Sequence, residues 1–118
     1  MTTVTTHVLD LTRGCPAEGI HVDIYALESN RKKRLISSQQ TNADGRMDQP
    51  LISSEHFHEG EYEIHYAAGA YFRQQSLIEE KPHFTEWIVT RIFLSVAEEY
   101  YHIPLLVSPW GYQVYRGS

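Results

Sequence analysis

Seven histidines stand among the 118 residues. Histidine is the side chain whose ordinary pKa lies nearest neutrality, which suits it to moving protons or holding a metal. Their surroundings divide them. His7 shares one face of an apolar alternation with Leu9, and His102 lies beside Ile103, Leu105 and Leu106. Each reads either as a core or interface histidine whose ring nitrogens are satisfied, or as half of an acid–base pair, and the residues alone leave both readings open. His21 and His65 fall on polar strand faces, and His83 follows Pro82 near Glu79 and Glu80, so all three are expected at the surface. His56-Phe57-His58 sets two imidazoles on one side of an extended segment, a spacing that suits a divalent ion. No nearby Cys or third His completes a site, so the segment reads as a polar loop and no metal is expected.

Other chemistries find little support. Cys15 sits in a Gly-Cys-Pro turn with neither a base nor an electropositive neighbour in the sequence, and reads as structural. The chain has no Gly-x-Ser-x-Gly elbow, phosphate-binding glycine loop, dinucleotide fingerprint or His-Glu-x-x-His motif, so an enzyme here is expected to work without a cofactor. Ten Lys and Arg against fifteen Asp and Glu leave a formal charge of −5, the wrong sign for a protein that neutralises nucleic-acid phosphates. Apolar stretches are only a few residues long, far short of a bilayer span, and no basic region with a following hydrophobic segment opens the chain. The terminal Tyr115-Arg116-Gly117-Ser118 matches no peroxisomal or endoplasmic-reticulum address, and a cytoplasmic location is the expectation. With 42% hydrophobic and 21% charged residues and a single cysteine, the chain is expected to form one globular domain over residues 1–118 without disulfides.

The elements that must position these residues are strands. Ile20, Val22, Ile24 and Ala26 alternate with His21, Asp23 and Tyr25, and Tyr62, Ile64 and Tyr66 alternate with Glu61, Glu63 and His65. Period-two alternation of this kind gives antiparallel strands with one wet face. Ile88, Ile92, Leu94 and Val96 share one face of a long strand whose other face carries Trp87, Val89, Arg91 and Phe93. Apolar residues on both faces imply cover on both, and the outer cover is expected to be another subunit. Weaker strands are expected at 4–11, 35–41, 101–107 and 112–115, with turns at 13–16, 42–45, 58–60 and 108–111 and one short helix at 68–75. About seven strands at this spacing indicate an all-β sandwich.

Three segments together carry a resemblance: Thr5-Thr6-His7-Val8-Leu9-Asp10, Thr41-Asn42-Ala43-Asp44-Gly45-Arg46, and the stretch from Tyr101 to Ser118 with its terminal Tyr-Arg-Gly-Ser. The chain resembles the 5-hydroxyisourate hydrolase branch of the transthyretin family over essentially its whole length. The resemblance implies a transthyretin-like antiparallel β-sandwich of seven to eight strands with one short helix, the eighth strand falling near Leu51 and Ile52. It also implies a homotetramer with active sites in clefts where subunits meet around a central channel. The implied activity is cofactor-free hydrolysis of 5-hydroxyisourate to 2-oxo-4-hydroxy-4-carboxy-5-ureidoimidazoline, on the path from urate to allantoin.

Carried over by position, the family's site falls on His7, Arg46 and His102, with Ser108, Tyr115, Arg116, Gly117 and Ser118 contributing to substrate binding. Lactam hydrolysis needs a water deprotonated near neutral pH and a proton returned to the leaving nitrogen, and paired imidazoles can divide those tasks. Which histidine is the base stays open. Arg46, by itself a solvated charge in a turn, suits bidentate contact with the oxygens of an anionic purine derivative. Arg116 would add a second cation and Tyr115 an orienting hydroxyl. Two departures from the family pattern stand out: Tyr100 occupies a position where many relatives have histidine, and Gln113-Val114 replaces a common Ser-Thr. The alternative function is a non-enzymatic transthyretin-like carrier of small ligands, disfavoured because hormone carriers of the family lack the tetrapeptide and both histidines.

Overall fold

A computed structural model describes residues 2–118. Eight strands make two four-stranded sheets. They are β1 (Thr3–Asp10), β2 (Cys15–Pro16), β3 (His21–Leu27), β4 (Lys33–Gln40), β5 (Gly60–Tyr66), β6 (Ile88–Leu94), β7 (Tyr100–Ser108) and β8 (Gly111–Val114). One sheet has the order β2-β1-β7-β8 and the other β4-β3-β5-β6. A helix, α1 (Ala68–Gln74), follows β5. The expected all-β sandwich with one short helix is thus present, and among the described residues no helix is long and apolar enough to cross a membrane.

Alternation places the core. Val4 and Val8 on β1, Val22 and Ile24 on β3, Ile64 on β5 and Leu105 and Val107 on β7 are fully buried between the sheets. Each such side chain contributes on the order of 1.5–3 kcal/mol by leaving water. The odd residues of β1 and the even residues of β7 are left on the outer face of the first sheet, and these include Thr5, His7 and His102.

The structure departs from the sequence reading in several places. The pairing of β1 with β7 is parallel, not antiparallel, in register from Thr3 opposite Tyr100 to Asp10 opposite Val107. These strands lie far apart in the chain and are joined through the other sheet, so no hairpin forces them antiparallel. Leu51 and Ile52 form no strand; they make a single bridge to Val4, and the eighth strand is instead the two-residue β2 against the end of β1. Val96 lies beyond the end of β6 in a turn and is exposed, so it does not share the buried face of Ile88 and Leu94. Glu63, expected on a wet face, is only 3% exposed. Burial pushes its carboxyl up, but hydrogen bonds from Arg91, His65 and Lys33 outweigh that and hold it at about 2.

Helix α1 has no side-chain cap and only seven residues, too few to persist alone. Tertiary contacts hold it. Tyr71 donates to the buried Asp10 at the end of β1 (2.7 Å), and Arg73 grips Glu86 through two hydrogen bonds of 2.8 and 2.6 Å.

His83 is the largest correction. It is buried, with Nδ1 2.7 Å from the Glu80 carboxylate, Nε2 against the Pro109 carbonyl, and its ring edge-on to Trp110. Both ring nitrogens face acceptors, so only the imidazolium satisfies both. The Pro109 carbonyl raises its pKa most, opposed by burial and reinforced by Glu80. A group whose folded pKa is raised stabilises the fold fully below its ordinary value of 6.5, and the contribution fades as pH rises through the folded value. The melting-temperature gap between the wild type and His83→Gln should therefore be widest near pH 6 and should narrow as the pH is raised. A gap that does not change with pH would mean that the ring is held as the neutral form.

Candidate functional site

Three segments meet on the outer face of the first sheet. In β1, His7 forms an antiparallel bridge with Arg46, and Val8 N–H donates to the Gly45 carbonyl at 2.8 Å. In β7, His102 forms a second bridge with Gly117, whose N–H donates to the His102 carbonyl at 2.7 Å. The parallel register sets Thr5 beside His102 and His7 beside Pro104, so the two histidines sit diagonally across adjacent strands. Their ring centroids are 6.3 Å apart and their planes tilted by 32°. A cleft of about 200 Å³ adjoins them, lined by Thr5, Arg46, Met47, Asp48, Pro50 and Tyr100 among others.

The turn that delivers Arg46 is built by its sequence. The Asn42 side-chain carbonyl accepts from the Asp44 and Arg46 N–H groups (2.9 and 3.2 Å), and Asn42 N–H donates to the Arg46 carbonyl at 2.8 Å. Asx turns of this kind explain why asparagine stands there. Gly45 has φ +74°, and a Cβ on it would strike the Val8 carbonyl, so glycine alone allows the turn to pair with β1. Gly117 is restricted differently, since an added Cβ would lie 3.0 Å from His102 Cδ2 and 3.1 Å from Pro104 Cγ. The terminal segment can therefore lie flat against the His102 ring edge.

Both histidines are held below their ordinary pKa. For His7, burial is the largest cause and the Arg46 charge the next, partly opposed by the backbone and carboxylate of Asp44. For His102, burial again leads, followed by Arg46 and by His7 itself. Neutral imidazoles at neutral pH have one nitrogen free to accept a proton and one to donate, the condition for dividing base and acid work.

The other expected site residues are dispersed. Tyr115 takes a register position opposite Pro104, on the His102 side of the sheet. Arg116 points elsewhere: it stacks over the Tyr101 ring at 4.8 Å and pairs with Glu98 at 3.3 Å. Ser108 closes the β7–β8 hairpin by donating to the Gly111 carbonyl at 3.1 Å. Six residues along one strand put it about 20 Å from His102 in the same subunit. Ser118 is exposed beyond the Gly117 bridge. His56 bonds to Ser53, and no group of three metal-ligating side chains occurs among the described residues.

Sequence reading assigned no role to Thr5 and Tyr100. The Thr5 hydroxyl lies 2.9 Å from His102 Nδ1 and 2.9 Å from the Tyr100 hydroxyl. The available signal was the shared parity of Tyr100 with His102 and of Thr5 with His7, but it becomes informative only when β1 is known to pair with β7.

Residues 4–117 match the profile of the HIUase/Transthyretin family. The chain belongs to that family. It is 42% identical over 115 residues to the 5-hydroxyisourate hydrolase of Pseudomonas aeruginosa, covering 98% of this chain and 90% of that one. It superposes on the structure of Klebsiella pneumoniae 5-hydroxyisourate hydrolase with a TM-score of 0.81 at 29% identity, covering all of both chains. It also matches one part of (S)-allantoin synthase with a TM-score of 0.89 at 34% identity, covering 99% of this chain and 44% of that one.

The contribution of Arg46 to the histidines can be read directly. In Arg46→Gln the imidazole C2 proton resonances of His7 and His102 should titrate at higher pH than in the wild type, because removing the nearby cation favours the charged ring. Unchanged titration curves would remove Arg46 from the electrostatics of the pair.

Proposed function

We propose that this chain hydrolyses 5-hydroxyisourate, opening its six-membered lactam ring without a cofactor. The observation that carries the reading is the convergence of His7, Arg46 and His102 on one face of the first sheet, with both imidazoles held neutral. Similarity to enzymes of that activity supports it. One imidazole takes a proton from water while the water oxygen bonds to the lactam carbonyl carbon. The ring C–N bond then breaks, and the proton taken from water passes to the departing nitrogen, directly or relayed through the second imidazole, so that both rings end neutral. Arg46 stands where its guanidinium can pair with substrate oxygens and hold the anion against the histidines.

The test follows the ultraviolet absorbance of 5-hydroxyisourate made in place by urate oxidase. The wild type should accelerate the decay over the spontaneous rate, and His102→Ala should lose on the order of a hundredfold or more of that acceleration. No acceleration by folded wild type would reject the hydrolase and favour a carrier role.

We also infer a homotetramer. Strands β6 and β8 each form one edge of their sheet, and an apolar groove of about 220 Å³ runs between them, lined by Ile92, Phe93, Tyr101, Ile103 and Val114 among others. Open strand edges invite pairing with another chain. Trp87, Val89 and Phe93 remain 43–60% exposed in the single subunit and become buried in this reading. Ser108 then reaches a site only as a contribution from another copy. Sedimentation at micromolar concentration should give a species of four chains, and a monomer would overturn both the burial and the intersubunit site.

A further inference from the structure

The hydrogen-bonded surroundings of His102 go further than the convergence of charged groups. Its ring is held on two edges. Nδ1 lies 2.9 Å from Thr5 Oγ1, and the Cδ2 edge abuts Gly117 so closely that a Cβ there would sit at 3.0 Å. Nε2 has no hydrogen-bond partner among the described residues. Thr5 Oγ1 is in turn 2.9 Å from the Tyr100 hydroxyl, and the Tyr100 and His102 rings lie nearly parallel, 3° apart in plane with centroids 6.3 Å apart. Register explains the arrangement: Thr5 is the residue of β1 directly opposite His102, and Tyr100 precedes His102 by two on the same face of β7.

Resting on the hydrolase reading above, we propose that Thr5 is a positioning residue for the reaction at His102. The hydrogen-bond chain from Tyr100 through Thr5 keeps Nδ1 protonated and leaves the Nε2 lone pair free to accept a proton.

The proton bookkeeping favours this polarity. A neutral imidazole has one N–H and one lone pair. If Thr5 donated to Nδ1, the proton of the ring would sit on Nε2, and the only nitrogen able to accept a proton would be covered by Thr5. With Nδ1–H donating to Thr5, Nε2 can take a proton from water, and the imidazolium that results keeps the same hydrogen bond without any rearrangement. The Thr5 hydroxyl proton is then free to go to Tyr100. The hydroxyl thus selects the tautomer and aims the ring, as second partners of histidine do at other sites.

The groups that set the charge on His102 are few. His7 faces it from β1 and Arg46 from the adjoining turn, and Asp48 lines the cleft beside Thr5 and Tyr100. The terminal segment presents the uncharged Gly117, while Arg116 is paired with Glu98. Burial, Arg46 and His7 all lower the pKa of His102. Thr5, as an acceptor from the ring N–H, favours the charged form and opposes them. Removing its hydroxyl therefore moves the pKa of His102 further down.

Thr5→Val preserves the β-branched shape that suits a strand. It should lower kcat by about tenfold or more with little change in KM, since a ring no longer aimed loses positioning rather than binding. The acid limb of the kcat/KM profile should shift to lower pH. Thr5→Ser should restore both, and Tyr100→Phe, which leaves the Thr5 contact in place, should shift the limb less than Thr5→Val. Nitrogen-15 spectra of histidine-labelled protein above the pKa of His102 should show Nδ1 protonated and Nε2 bare in the wild type, and a mixture of tautomers in Thr5→Val.

Wild-type rate and an unmoved acid limb in Thr5→Val would overturn the proposal, as would a wild-type spectrum with Nε2 protonated. An inactive wild type would instead overturn the hydrolase reading. The nitrogen-15 signals would still report whether Thr5 sets the tautomer, which separates the two failures.

Discussion

The parallel, in-register pairing of β1 with β7 is the constraint on which the rest of the site depends. It places Thr5 against His102 and His7 against Pro104, and so sets the spacing of two imidazoles that lie 95 residues apart in the chain. A slip of one residue would send one histidine into the core and draw a core side chain out, because alternate residues of a strand face opposite ways. The register is held by what lies beneath it. Val4, Val8, Leu105 and Val107 fill the interior of the same two strands, so the packing that stabilises the sandwich also aims the site. Two further segments are bridged onto this pair, the turn carrying Arg46 on the His7 side and Gly117 on the His102 side.

Local charge, not total charge, governs the cleft. The chain carries a formal −5, yet the charge that acts most on both histidines is the Arg46 cation. The guanidinium adds to what burial begins, since both hold the two imidazoles below their ordinary pKa. Elsewhere several ionised groups have dedicated partners. Glu63 is enclosed by Arg91, His65 and Lys33, Glu86 is gripped by Arg73, and His83 is held by Glu80 and Pro109. These clusters brace the second sheet, helix α1 and the segment before β6, away from the face that carries the histidines.

Much of this was legible in the residues. Alternation located the strands to within a few residues, the composition of the loops located the turns, and the motif segments pointed to His7, Arg46 and His102, which the fold brings to one face. The sandwich follows from the alternation, because burial of an apolar face is encoded residue by residue along each strand, and the family resemblance rests on the motif segments. The glycines at positions 45 and 117 also belong there, since their need is local: one passes through positive φ and the other lies flat against a ring edge.

Only the tertiary structure decided which strand lies beside which, and every surprise follows from that. Period two says which face a side chain takes but not what it meets there, so β1 and β7 gave no sign of running parallel. Glu63 is buried because Lys33 and Arg91 arrive from 30 residues before and 28 after it. His83 is interior because Pro109, 26 residues on, supplies the acceptor for its second nitrogen. Thr5 becomes a neighbour of His102 across 97 residues of chain. The sequence by itself determined most of the elements and their buried faces, because those depend on near neighbours. Partners, protonation and aim depend on contacts between distant segments, which exist only once the sheets have closed on their common core.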